Sequence, residues 1–161
     1  MKFPVLLLLS FVFLVACGKP DFDDPETLNK ILDKALFTHQ TVSVGNHPSG
    51  SPQLRRVNSE SLYSGWVKSM YDYSRVASLT QYHQGTKDGL EIKWHRNGQR
   101  SRETIYSRGK LDGKDTHWNQ NGQKTWEINY KNGRRHGRSS SWDNEGELIK
   151  ETKWKHDKEV K

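Results

Sequence analysis

The chain reads as an all-β repeat protein: an antiparallel meander of short hairpins in four 24-residue units, preceded by one N-terminal amphipathic helix. Three observations predict this. Glycines and aromatics recur at one fixed period, Asn-Gly pairs punctuate the runs between them, and aliphatic residues are scarce once the leader is set aside. The hydrophobic share of the 161 residues is 32%. That is below the usual apolar share, so a fold with a thin core and strong turn chemistry is expected.

The leader comes first. Residues 1–16, "MKFPVLLLLSFVFLVA", carry one charge, Lys2, and then an almost unbroken apolar run from Phe3 to Ala16. The run is shorter than the ~20 residues of a membrane-spanning helix. A positive start, an apolar stretch and a small-residue end describe a secretion signal. The sequence "LVAC" at 14–17 resembles a bacterial lipobox, with Cys17 as the residue that takes the lipid. The thiolate is the nucleophile such a modification needs, and buried acyl chains hold a protein to a membrane at ~0.8 kcal/mol per CH₂. Cys17 is the only cysteine, so no disulfide supports the exported protein. No Asp follows Cys17 at Gly18 and Lys19. The resemblance therefore implies a lipid-anchored protein of the bacterial cell envelope, in the outer membrane of a Gram-negative host.

Residues 17–60 read as a lipidated tether containing one helix and a linker. In "DPETLNKILDKALF" (24–37), Asp24 suits the N-cap, Pro25 the first helical position and Glu26 the first turn. Leu28, Ile31, Leu32, Ala35 and Leu36 form one apolar stripe that should dock on the following domain. Residues 38–53, "THQTVSVGNHPSGSPQ", contain three Gly/Pro-marked breaks and read as linker.

The repeat domain spans residues 61–161. Gly65, Gly89, Gly113 and Gly137 are spaced by 24, as are Gly98, Gly122 and Gly146. The same period relates Trp94, Trp118 and Trp142, and also Tyr82, Tyr106, Tyr130 and Trp154. Gly85, Gly109 and Gly133 form a further column, and Glu103, Glu127 and Glu151 another. The units are 66–89, 90–113, 114–137 and 138–161, each with a half-period of 12. Asn97-Gly98, Asn121-Gly122 and Asn132-Gly133 are hairpin signals of the type I′ kind. Alternation puts Leu90, Ile92 and Trp94 on one face, and groups Trp126, Ile128 and Tyr130 likewise. Equivalent rings are expected to stack across neighbouring strands. The recurring Glu side chains are expected on a solvated side beside Lys and Arg.

Two stretches, "YSRGKLDGKDTHWNQNGQKTWEINY" (106–130) and "YKNGRRHGRSSSWDNEGELIKETKW" (130–154), resemble the bacterial variant of the MORN repeat (YwqK-like). The pattern is Tyr, two residues, Gly, three residues, Gly, four residues, an aromatic and a Gly-containing turn. The likeness covers roughly 63–161. The first unit lacks the Asn-Gly turn, and the fourth has Asp157 where earlier units have Gly, as end units of an array require. The resemblance implies a bacterial lipoprotein, with an antitoxin-type role for some members.

Motifs of catalysis and metal binding are missing. The seven histidines show no HxxxH or HExxH spacing, there is no CxxC, and Ser139, Ser140 and Ser141 lack a GxSxG elbow. "DGKDTH" does not have phosphate-loop spacing. The net charge of +7 suits anionic surfaces, but export argues against nucleic acid. The basic cluster "KNGRRHGR" (131–138) could meet anionic lipid or glycan. The expected function is a non-enzymatic, lipid-anchored protein-interaction module needing no cofactor or metal. Alternatives are an antitoxin or immunity-type binding protein, or an envelope glycan-processing enzyme. Candidate site residues are Cys17 for lipidation, and the ladder Trp94, Trp118, Trp142, Tyr106, Tyr130 and Trp154, which serves as core or as a binding face.

Overall fold

The computed structural model describes residues 20–46, 48–50 and 52–161. The leader and Cys17 lie outside the described residues. Helix α1 covers Pro25–Lys34, and twelve strands follow. They are β1 (Leu36–Phe37), β2 (Thr41–Asn46), β3 (Pro52–Arg56), β4 (Gly65–Met70), β5 (Val76–His83), β6 (Thr86–Trp94), β7 (Arg100–Ser107), β8 (Lys110–Trp118), β9 (Lys124–Lys131), β10 (Arg134–Trp142), β11 (Leu148–Lys155) and β12 (Lys158–Val160). Strands β4 to β12 form one antiparallel meander in chain order, with β1 added parallel to β4 at its first edge. The all-β meander read from the repeats is the architecture observed.

Asp24 caps α1 as expected, its carboxylate accepting from the backbone N–H of Thr27 at 2.9 Å and of Glu26 at 3.4 Å. The helix stops at Lys34 rather than running to Phe37, because Ala35 turns extended and Leu36 pairs with Val67 in the sheet. Ala35 and Leu36 are buried by that change. An apolar run continuing the stripe looks the same to periodicity whether it ends as helix or as strand. The stripe residues Leu28, Ile31 and Leu32 pack on a core of Ala35, Leu79, Ile92 and Trp94, joined by Phe22, Trp66, Val76 and Leu90. Leu79 and Ile92 have no exposed surface, and burial of such side chains stabilises by about 1.5–3 kcal/mol each. This apolar core sits at one end of the sheet, over β4 to β6.

Residues 38–53 are not a linker. After a 3-10 turn at Thr38–Gln40, β2 and β3 pair as a separate two-stranded hairpin. Of the Gly and Pro residues read as linker breaks, Pro48 and Gly50 fall at its turn, whereas Gly45 lies in β2 and Pro52 opens β3; Thr41, Val42 and Val44 are strand formers. The hairpin is fastened to the main sheet by the Leu54 N–H, which donates to the Gly85 carbonyl at 2.7 Å.

From β5 onward the hairpin turns of the main sheet are of two kinds, one at each end of the strands. Gln84-Gly85, Arg108-Gly109, Asn132-Gly133 and His156-Asp157 all have both residues at positive φ, the type I′ geometry. Asp157 keeps the conformation at φ 67° without glycine, since Asp tolerates the left-handed region. Asn97-Gly98 and Asn121-Gly122 differ from expectation: only the glycine has positive φ. These are four-residue turns closed by Gly98 N–H to the His95 carbonyl and Gly122 N–H to the Asn119 carbonyl. The side chains of Asn97, Asn119 and Asp143 accept from the backbone N–H two residues on, stabilising the turn without a second positive φ. The 12-residue half-period therefore joins two chemically different halves.

Repeats are also tied at the type I′ end. The N–H of Gly85, Gly109, Gly133 and Asp157 donates to the carbonyl of Tyr63, Lys87, Leu111 and Arg135, at 2.6, 2.8, 2.7 and 3.0 Å. At the other end, Asn97 Nδ2 donates to the Gln120 carbonyl at 2.7 Å. Stacked turns thus add a hydrogen-bond ladder outside the strands, which a sheet poor in aliphatics can use.

Candidate functional site

The two faces of the sheet use different chemistry. The helix face carries Leu79 and Ile92, and from β7 onward along the same register it carries Glu103, Thr116, Glu127, Ser140 and Glu151. On the opposite face the paired positions run Val67, Thr80, Glu91, Thr104, Asp115, Ile128, Ser139 and Thr152.

Two buried carboxylates dominate that second row. Asp115 is 3% exposed. Arg102 grips it with two parallel bonds, Nε to Oδ1 at 2.7 Å and Nη2 to Oδ2 at 2.8 Å, and Thr104 Oγ1 donates at 2.8 Å. His117 Nε2 lies 3.3 Å from Oδ2. Burial alone would raise the Asp115 pKa, but hydrogen bonds from His117, Arg102 and Thr104 outweigh it and hold the carboxyl well below its usual range. Glu91 repeats the arrangement one unit earlier. Lys87 Nζ lies 2.6 Å from Oε1, Thr80 Oγ1 donates at 3.2 Å, and Lys93 Nζ is 3.7 Å from Oε2. Burial again opposes ionisation and the lysines with Thr80 reverse it, so the Glu91 carboxyl is also lowered. The flanking phenols of Tyr82 and Tyr106 are pushed up to about 12, chiefly by burial and then by the Glu91 charge. A carboxylate pair for acid–base work needs one member raised towards neutrality. Here both are lowered, and their oxygens are taken up by protein donors.

The aromatic columns take a different form from the stacked ladder that the sequence suggests. Trp94, Trp118 and Trp142 lie near the ends of β6, β8 and β10; Tyr106, Tyr130 and Trp154 lie on β7, β9 and β11. Only Trp94 is buried, at 9% exposure, and the other five are half-buried. Among the described residues the ring pairs are Phe22–Trp66, Phe37–His39 and His136–His156, none joining two members of a column. The reason is geometric. Each unit is two strands, so equivalent rings stand two spacings apart, about 9.5 Å. Cationic side chains occupy positions between them: Arg100 pairs with Trp94, Lys124 with Trp118, and Arg135 with Tyr130. Lys124 Nζ lies 5.2 Å from the Trp142 ring, Lys87 Nζ 4.9 Å from Tyr106, and the Arg135 guanidinium 3.6 Å from Trp154. Each such contact contributes roughly 0.5–1 kcal/mol. Three of the six rings thus meet a cation and Trp94 packs in the apolar core, while no ring of a column packs on another among the described residues.

The repeating glutamates follow expectation. Arg100 reaches Glu103 at 3.1 Å, Lys114 and Lys124 reach Glu127 at 3.0 and 2.9 Å, and Arg138 lies 3.5 Å from Glu151. His95 and His117 act separately, His95 Nε2 on the Trp118 carbonyl and His117 on Asp115. No group of three His, Cys, Asp or Glu is placed to hold a metal among the described residues.

The last repeats hold what sequence reasoning missed. Twenty-four residues after Arg102, Thr104, Asp115 and His117 stand Trp126, Ile128, Ser139 and Ser141. The whole ion-paired cluster is replaced at once, and Trp126 is 53% exposed. Likewise Leu148 and Ile149 stand where the preceding unit has Lys124 and Thr125, and they are 53% and 65% exposed. The signal was present as breaks in columns outside the six that defined the period.

These features define a class: a β-repeat protein built on one long antiparallel sheet, with an apolar core under a helix at one end and buried ion-pair networks carrying the repeat onward. Searches against protein-family models, curated proteins and solved structures give no match to this chain.

Proposed function

We propose that this protein is a non-enzymatic, lipid-anchored module of the bacterial envelope, akin to the MORN-repeat variant, that holds a protein partner where β11 leaves the β10–β11 turn. The observation carrying this reading is the exposed pair Leu148 and Ile149 in a chain that otherwise spends few aliphatics. Adjacent exposed aliphatics that replace charged and polar residues favour partner burial over solvation. Strand β12 also has a hydrogen-bonded neighbour on one side only among the described residues, which suits addition of a partner strand. The first described residues and the patch are well separated. Pro20 and Phe22 lie beside Trp66 of β4, and β11 is seven strand spacings further along the sheet, about 34 Å.

Two measurements test it. Cys17→Ser should move the protein out of the membrane fraction or leave it uncleaved, and unchanged fractionation would refute the anchor. A Leu148→Asp/Ile149→Asp variant should keep its melting temperature and lose the partner that co-purifies with the intact lipoprotein. Retained co-purification would remove the patch from the account.

A further inference from the structure

We propose that the groove on the face opposite the helix, between β9, β10 and β11, binds an acidic saccharide, with one sugar ring stacked on Trp126. The groove has a volume of about 170 Å³ and is walled by Trp126, Ile128 and Trp154, with Ser139, Ser141 and Lys150 among its other lining residues. It lies where the Asp115 cluster would recur, so exchange of Arg, Thr, Asp and His for Trp, Ile and two Ser has opened space there. This goes beyond the proposed protein partner, and neither Leu148 nor Ile149 lines the groove.

The lining selects the ligand. Trp126 offers an exposed ring that no cation covers among the described residues, a flat apolar surface for the C–H face of a pyranose. The Ser139 and Ser141 hydroxyls and Lys150 Nζ have no hydrogen bond or ion pair among the described residues, leaving two neutral donors and one cation to be met. Arg135 already lies over Trp154 and 3.5 Å from Asp157, which stiffens the far wall and adds positive charge. An apolar peptide side chain would bury those donors without acceptors. A bare inorganic anion would leave the Trp and Ile walls wet. A sugar bearing a carboxylate satisfies both, with its ring on Trp126 and its acid on Lys150. The volume is below the ~300–1,000 Å³ of pockets that enclose a whole small molecule, so it holds one ring of a longer chain.

The test is an NMR titration of the intact chain in detergent, following the indole N–H signals of Trp126 and of Trp154, the second Trp of the groove, which reports binding in the Trp126 variant. The probes are a tetrasaccharide of alternating glucuronic acid and N-acetylglucosamine, and the neutral N-acetylglucosamine tetramer. The acidic probe should shift the signals saturably. Trp126→Ala should weaken its binding tenfold or more at an unchanged melting temperature. Lys150→Ala should weaken the acidic probe at least fivefold while sparing the neutral one. The Leu148→Asp/Ile149→Asp variant should bind saccharide as before, which separates this site from the protein-partner reading. Absence of a saturable shift, undiminished binding by Trp126→Ala, or a preference for an apolar tripeptide over both saccharides would overturn the proposal.

Discussion

Trp94→Ala should destabilise the fold by about 3–5 kcal/mol, the cost of removing a buried aromatic that the surroundings cannot refill. Trp118→Ala, at the equivalent position one unit later, should cost only about 1–2 kcal/mol. The two indoles occupy the same repeat column, yet Trp94 packs with Ala35, Leu79 and Ile92 in the core beneath α1, while Trp118 is half-buried with Lys124 at its paired position. Denaturant unfolding of the two variants measures the difference directly. Equal losses would mean that the rings themselves form the core throughout, as the sequence alone suggests, and that the helix adds little.

Asp115→Asn should cost about 3 kcal/mol, because removing one partner leaves the rest of a buried pair uncompensated. The figure is the low end of that range, since the Arg102 side chain is 31% exposed and water can meet part of its charge. The same carboxylate sets an acid dependence. Its folded pKa is depressed, so its contribution is fully present above the unfolded value of about 3.9 and is lost as pH falls towards the folded one. Glu91 acts in the same direction. Wild-type stability should therefore fall steeply below about pH 4. The gap between wild type and Asp115→Asn should narrow over the same range. A gap that stays constant from pH 6 to pH 2 would show that the Asn variant loses packing rather than charge.

Much of the fold was legible because the repeat is strict. Six columns in one register marked the 12-residue spacing of strand and turn, and Asp24-Pro25 marked the helix start. What escaped has physical causes. Asn-Gly is permissive for more than one turn, and the side-chain oxygens of Asn97, Asn119 and Asp143 selected a four-residue form that spacing does not reveal. The segment 38–53 looked like linker because Gly and Pro punctuate hairpins and linkers alike. Stacking of the rings was inferred from a column, but a 24-residue unit is two strands wide, so cations fill the intervening positions. The buried carboxylates were hidden among many exposed ones. Only the register shows that Thr80, Glu91, Thr104 and Asp115 are neighbours. The candidate binding surfaces were the least legible, because they arise where Trp126, Ser139, Leu148 and Ile149 break columns rather than keep them.

The last part of the repeat is proposed to hold a protein partner at the envelope. Photo-crosslinking from position 149 in intact cells tests it most directly. One discrete adduct is expected, which persists in Trp126→Ala and disappears in Leu148→Asp. A diffuse smear, or an adduct indifferent to Leu148→Asp, would contradict it.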